Sequence, residues 1–160
     1  MAEGEGYAGQ AAGPVSAMTV SWASDYVGLP FKDRGRDRNG VDCWGLVRLV
    51  YAERLSITLP DFAEIRSRDW RAVARAIADA VDTDEWLPVI RGAEKEYDVV
   101  VMRGHSDGAR VLSVRDHVGI VAPGGCLLHV EEGCDAVVPK LHSVTVKDRI
   151  AGVYRFHVLG

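Results

Sequence analysis

Cysteine is scarce in this chain of 160 residues, which contains only Cys43, Cys126 and Cys134. Three is an odd number and no two of them form a C-x-x-C pair, so the pattern favours neither a disulfide framework nor a zinc ribbon. A bridge between Cys126 and Cys134 is conceivable, although a reducing compartment of synthesis is the default for so few cysteines. The surroundings of each cysteine therefore have to decide its role.

Other absences exclude whole classes of protein. No apolar stretch approaches the roughly 20 residues of a membrane span, and an N-terminus with Glu3 and Glu5 but no basic run does not resemble a signal peptide. A net charge of -4 argues against a nucleic-acid binder. The local exception is the basic segment, residues 32–38 (KDRGRDR), whose simplest interpretation is a solvated loop.

What the chain does contain is the composition of one globular domain, 48% hydrophobic and 26% charged. Residues 1–18 are rich in Gly and Ala and predict a flexible N-terminal arm, followed by a single domain over 19–160. Apolar residues at helical spacing predict helices over 19–28, from a cap at Asp42 to about Ser56, and from a cap at Ser67 to about Val81. Gly45 in the second helix indicates that something packs closely there.

From about residue 85 the pattern changes to short segments rich in Val, Ile and Leu, separated by Gly and Pro. Helices first and strands afterwards predict an α+β fold, with the N-terminal helices packed on a mainly antiparallel sheet.

Cys43 stands at the predicted start of the second helix, in the segment NGVDCWGLVRLVY (39–51). The helix dipole and the unpaired N–H groups there can lower the pKa of a thiol from about 8.5 to between about 3.5 and 7.5. Such a thiolate is a nucleophile, whereas a buried cysteine that only packs near the cap is the plainer alternative.

A nucleophilic cysteine needs a base, and His117 and His129 are candidates. Strand alternation puts His117 and Gly119 on one face, which leaves space beside the imidazole for a substrate, while Val118 belongs to the core. A Pro-Gly-Gly turn at 123–125 predicts that the next strand, with His129, pairs antiparallel and brings the two imidazoles side by side.

Alternatives to this pairing carry less weight. Asp116 should point to the face opposite His117, and the remaining histidines, His105, His142 and His157, are typical of surface positions. A zinc site formed by Cys43, His117 and His129 fits by ligand type but has no characteristic spacing.

These motifs carry a family resemblance. The segment from 29 to 62, with Asp-Cys-x-Gly-Leu-Val opening a helix, the strand DHVGIVA, the strand LLHV and the terminal RIAGVYRF resemble the NlpC-type cell-wall peptidases of the papain-like superfamily. More narrowly, they are similar to the tail-associated peptidases of bacteriophages. The resemblance spans about residues 20–156 and implies a papain-like fold.

The resemblance implies a role for each residue of the motifs. Cys43 would attack an amide carbonyl, His117 would act as general base and then acid, and His129 would orient the imidazolium. Asp42, Trp44 and Phe31 would belong to the substrate-binding pocket. Trp44 stands where the common family form has Ser, and Phe31 where it often has Tyr; the Trp form is similar to that of phage tail members.

The implied function is a cysteine endopeptidase of peptidoglycan stem peptides, cutting between D-glutamate and a diamino acid, without a metal or organic cofactor. Its expected partners are bacterial peptidoglycan and other phage tail subunits, and its expected location is the virion, reached without a signal peptide. Two alternatives stay open: a structural tail-tip subunit that no longer cleaves, and an enzyme that transfers acyl groups instead of hydrolysing them.

Overall fold

The computed structural model of the chain describes residues 21–104 and 114–160. The arm predicted over 1–18 lies outside the described residues, and so does His105.

In the described ranges, the regular elements are two α-helices and eight strands. They are, in order, β1 (Arg36–Asp37), β2 (Gly40–Val41), α1 (Cys43–Val50), α2 (Trp70–Val81), β3 (Trp86–Pro88), β4 (Val99–Arg103), β5 (Arg115–Ala122), β6 (Cys126–Glu131), β7 (Cys134–Val137) and β8 (Ile150–Phe156). Short 3₁₀ turns cover Trp22–Asp25, Lys147–Arg149 and His157–Leu159, and a π-helical turn over Tyr51–Leu55 continues α1.

The main sheet has six strands in the order β3-β8-β4-β5-β6-β7, and all neighbouring strands pair antiparallel. β1 and β2 form a separate small hairpin just before α1. Helices that precede an antiparallel sheet and pack on it are the predicted α+β arrangement, which is confirmed.

The turn between β5 and β6 sets the register of the two strands. Gly124 and Gly125 have φ of 73° and 66°, values that glycine adopts at no steric cost. Ala122 therefore pairs with Cys126 and Ile120 with Leu128, and continuing this register brings His117 opposite Glu131.

Helix α1 forms as its apolar spacing predicts and anchors the site to the sheet. Asp42 is the N-cap, and its side chain accepts a hydrogen bond from the Gly45 N–H at 2.7 Å. The buried side of α1 packs on one face of the sheet, in a core that includes Leu46, Val47, Val50, Val99, Val101, Val118, Ile120, Leu128 and Val130. A second, smaller cluster that includes Val100, Met102, Val121 and Leu127 is also buried.

Gly45 is where the chain before α1 comes closest to the helix. A Cβ at this position would lie 2.0 Å from the Gly35 carbonyl oxygen, well inside van der Waals contact. The predicted close packing at Gly45 is confirmed, and its cause is the backbone of the β1 hairpin.

Two helix predictions need correction. In place of the helix predicted over 19–28, the described part of that segment is a single 3₁₀ turn, Trp22–Asp25, before Gly28 takes a φ of 85°. The third helix begins at Trp70 with Asp69 as its cap, not at Ser67, because the Asp33 carboxylate binds the Ser67 N–H at 2.7 Å and holds that residue in the preceding loop.

The cysteines and the helices bear on two further expectations. Cys43, Cys126 and Cys134 are all free thiols, so the conceivable bridge between the last two is not formed. Among the described residues, none of the helices has the length and apolar character needed to cross a membrane.

Candidate active site

A cleft of about 380 Å³ opens beside the start of α1. Cys43 and His117 both line it, while α2 supplies apolar side chains to its wall, among them Val73 and Ile77. Two residues predicted at the site from separate parts of the sequence therefore face one space.

Cys43 has the helix-start position that the sequence predicts. Its sulfur accepts hydrogen bonds from the backbone N–H groups of Trp44 and Val118, the second being the residue after His117. These donors stabilise negative charge on sulfur, and they connect the start of α1 directly to β5.

The pKa of Cys43 is raised in the structure, so the lowering predicted from the helix start is wrong. Burial and, to a smaller extent, the Asp42 carboxylate raise the pKa to about 12, because the two N–H donors offset only part of their effect. The helix start does act in the predicted direction, but loss of hydration outweighs it. Cys43 is therefore a neutral thiol at rest.

The histidine pair forms as predicted. The distance from His117 Nε2 to His129 Nδ1 is 3.0 Å, and both residues are only 6% exposed. His117 lines the cleft, whereas His129 lies behind it and is not part of the cleft wall. Because His117 uses Nε2 toward His129, Nδ1 is the nitrogen through which it would act on a thiol.

The space beside Gly119 serves this pair and not a substrate, which corrects the prediction. A Cβ at residue 119 would lie 2.7 Å from Leu127 Cδ1 and 3.1 Å from His129 Cβ. Gly119 leaves the room that the neighbouring strand needs, and a substrate has no access there.

Glu131 is a member of the site that the sequence interpretation missed. Its Oε1 lies 3.5 Å from His117 Nε2, and the Arg149 guanidinium donates to the same oxygen. Burial alone would raise the pKa of Glu131, but His117, Arg149 and, to a smaller extent, His129 together lower it to about 2. Strand alternation was the available signal, since Glu131 follows His129 by two residues on one strand.

Among residues 21–104 and 114–160, the group His117, His129 and Glu131 has ligand atoms within 4.8 Å of one another, so these three residues could hold a metal ion. This differs from the zinc set considered from the sequence, in which Cys43 was the third ligand. The guanidinium of Arg149 already supplies a positive charge to Glu131, which disfavours a second cation at the same carboxylate.

The three residues assigned to substrate binding all line the cleft. They differ in how far their side chains are already engaged by other groups of the protein. Asp42 is committed to capping α1 and to an ion pair with Arg36, whose Nη1 lies 2.7 Å from its Oδ1. Trp44 donates its indole N–H to the Pro60 carbonyl at 2.8 Å, so the ring is held as a wall. Phe31 is half-buried and forms an isolated bridge with Val41.

The basic segment 32–38 is engaged within the protein. Arg36 pairs with Asp42 and Asp61, and Arg38 pairs with Glu53. These partners neutralise the charges of Arg36 and Arg38 that could have met an acidic substrate. Only 15% of the Arg36 side chain is exposed, so this residue is not solvated as the simplest interpretation of the segment expects.

Of the remaining candidates, the two histidines lie outside the cleft, whereas Asp116 lines it together with Cys43 and His117. His142 and His157 are exposed, as predicted. The carboxylate of Asp116 packs against Gly104, where an added Cβ would lie 2.5 Å from its Oδ1.

A cysteine at a helix start, next to a histidine pair on an antiparallel sheet, is the arrangement of papain-like proteins. The chain belongs to the NlpC/P60 family, whose model matches residues 28–155. Members of this family are typically cysteine peptidases or hydrolases of peptidoglycan.

Three solved structures share the fold. An NLP/P60 family protein similar to a lipoprotein, from Staphylococcus aureus subsp. aureus Mu50, aligns with a TM-score of 0.56 and 21% identity over 84% of this chain and 38% of its own. An NlpC/P60 family protein from Bacillus cereus ATCC 10987 aligns with a TM-score of 0.58 and 20% identity over 84% of this chain and 37% of its own. The NlpC/p60 domain of the peptidoglycan hydrolase SagA aligns with a TM-score of 0.52 and 20% identity over 84% of this chain and 92% of its own.

The chain thus spans less than two fifths of the length of the first two structures. Among curated protein sequences, none matches this chain.

Proposed function

We propose that the protein is a cysteine endopeptidase that hydrolyses peptidoglycan stem peptides. The observation that carries this proposal is the joint presence of Cys43 and His117 on one cleft, with His129 bound behind His117 at 3.0 Å. Membership of the NlpC/P60 family supports the substrate class.

The first half of the reaction forms an acyl-enzyme. His117 takes the proton from the Cys43 thiol as sulfur attacks the amide carbonyl carbon, which gives a tetrahedral oxyanion. Collapse of this intermediate breaks the C–N bond, and the protonated imidazole returns the proton to the departing amine. Because the resting thiol is neutral, deprotonation accompanies attack and does not precede it.

In the second half, water replaces the amine. His117 accepts a proton from the water, whose oxygen attacks the thioester carbonyl, and collapse releases a carboxylate and the Cys43 thiol. His129 would hold the ring of His117 in one orientation through both halves, as the third member of such a triad does.

The finer parts of the proposal rest on the motifs. The bond is the one between D-glutamate and a diamino acid, as the resemblance of the Asp-Cys and His-Val-Gly-Ile motifs implies. The Trp44 form supports a role on a bacteriophage tail or tail-like particle, where the chain would contact other tail subunits and open host peptidoglycan during entry.

The test is mass spectrometry of the muropeptides released from purified sacculi. We expect Cys43→Ala to lower the rate by about 10³-fold or more, with Cys126→Ala and Cys134→Ala as matched controls because those free thiols lie outside the cleft. Release of the same muropeptides by Cys43→Ala would refute the assignment of the nucleophile, and the masses identify the bond. Products joined to an added amine would indicate acyl transfer.

A structural tail-tip subunit without activity is the second candidate, and the raised pKa of Cys43 favours it. The two candidates differ in how Cys43 reacts with iodoacetamide when a soluble muropeptide is present. A substrate of the enzyme protects Cys43 from alkylation and is consumed, whereas a structural subunit shows neither protection nor turnover.

A further inference from the structure

We propose that Glu131, held by Arg149, is a positioning residue that stabilises the protonated imidazole of His117 during the reaction. The inference rests on the proposed function, because it assigns His117 the role of base. It adds a carboxylate and its anchor to the Cys-His-His set that the motifs imply.

Three contacts fix the carboxylate where it can act. Glu131 Oε1 is 3.5 Å from His117 Nε2, and the Arg149 guanidinium binds the same oxygen. Arg149 is held in turn, since its Nε donates to the Arg103 carbonyl at 2.9 Å. Each side chain is mostly buried, with 21% of the Glu131 side chain and 14% of that of Arg149 exposed.

The anchor comes from a separate part of the chain. Glu131 is the last residue of β6, whereas Arg149 ends the 3₁₀ turn Lys147–Arg149 just before β8. A salt bridge between an exposed arginine and an exposed glutamate contributes little to stability. Here the guanidinium keeps the carboxylate ionised and orients it toward the imidazole.

The electrostatic effect has a definite sign. When His117 accepts the thiol proton, its ring becomes a cation, and a carboxylate within about 4–6 Å favours that form. His129 can accept a hydrogen bond from His117 but carries no negative charge. Glu131 therefore supplies the charge that the histidine pair lacks.

Other charged groups face the same region and enter the interpretation of a pH profile. In the described residues they are Asp116 on β5, Glu132 after β6, and Arg36 with Asp42 at the start of α1, all of which line the cleft. Arg36 and Asp42 neutralise each other. Glu132 pairs with Arg68.

The experiment follows the titration of the His117 ring by NMR, together with kcat/KM on muropeptide across pH, in wild type and variants. The His117 signal is assigned by its loss in His117→Gln. We expect Glu131→Gln to move the titration midpoint of His117 down by about one unit or more and to lower kcat/KM by about tenfold. Glu131→Asp should restore part of both, since it keeps the charge at a longer distance.

Glu53→Gln is the matched control. Glu53 is also paired with an arginine, Arg38, but lies outside the cleft, so His117 should titrate as in wild type. Thermal unfolding of each variant separates a loss of folding from a loss of charge.

Two outcomes would overturn the proposal. One is a His117 midpoint that is unchanged in folded Glu131→Gln. The other is a Glu131→Asp variant whose His117 midpoint and kcat/KM both equal those of wild type, because the proposal makes both depend on the distance of the carboxylate. The second outcome needs only the conservative variant, so it holds even if Glu131→Gln does not fold. If Cys43→Ala keeps full activity while the midpoint shifts as expected, the proposed function fails and the Glu131 contact stands.

Discussion

Replacement of Gly45 by Ala tests how the start of α1 is held. In an ordinary helix interior, Gly→Ala stabilises the protein by about 0.5–1 kcal/mol. In this protein the added Cβ would meet the Gly35 carbonyl oxygen at 2.0 Å, so either the helix or the hairpin has to move. We therefore expect the usual sign to be reversed.

The magnitude follows from the groups that share this contact. Overpacking typically costs about 1–3 kcal/mol, which exceeds the gain in helix propensity and leaves a net loss of about 1–2 kcal/mol. The Gly35 oxygen also accepts from Arg36 Nη1 at 2.8 Å, and the same Nη1 binds Asp42. Displacing it would loosen the cap that positions Cys43.

Thermal unfolding by circular dichroism measures the effect. We expect Tm to fall by about 2–8 °C for a domain of this size, and sacculus hydrolysis to fall by more than the folded fraction explains. Gly92→Ala is the control, because its φ of 95° strains an added side chain while nothing lies within 4 Å of the new Cβ. It should lower Tm without affecting turnover. A higher Tm in Gly45→Ala would refute the reasoning.

Three further predictions concern the sheet. Gly119→Ala should destabilise the protein by about 1–3 kcal/mol in urea unfolding and disturb the NMR signal of His129; an unchanged signal would contradict the contact. Arg155→Met should cost about 3–5 kcal/mol, because Asp98 is fully buried and both its oxygens bind Arg155 at 2.8 Å. Because the pKa of Glu131 falls from 4.5 to about 2 on folding, its stabilisation is complete above about pH 4.5. This contribution to the free energy of unfolding, on the order of 3 kcal/mol, should be lost as pH falls toward 2. Glu131→Gln should therefore lose less stability than wild type at acid pH, and an equal loss in both proteins would exclude this linkage.

The sequence by itself determined the elements whose causes are local. Asp42 caps α1 because its carboxylate reaches a backbone N–H three residues ahead, within one turn. The imidazoles of His117 and His129 meet because a glycine turn fixes the register of two adjacent strands. Period and turn chemistry suffice for such features.

Other features depend on parts of the chain far apart in sequence. Asp69, and not Ser67, caps α2 because Asp33 holds the Ser67 N–H from more than 30 residues away. Arg149 reaches Glu131 across the fold, so only the folded chain shows that this carboxylate is anchored.

The pKa of Cys43 shows why a prediction from the sequence and the tertiary structure can disagree. The helix start lowers it, as the sequence predicts, and this effect acts within one turn. Burial raises it, and burial is a property of everything packed around the sulfur. The sequence thus placed the nucleophile candidate and its histidine pair, while the tertiary structure decided the protonation state of the thiol and which charge stands behind the imidazole.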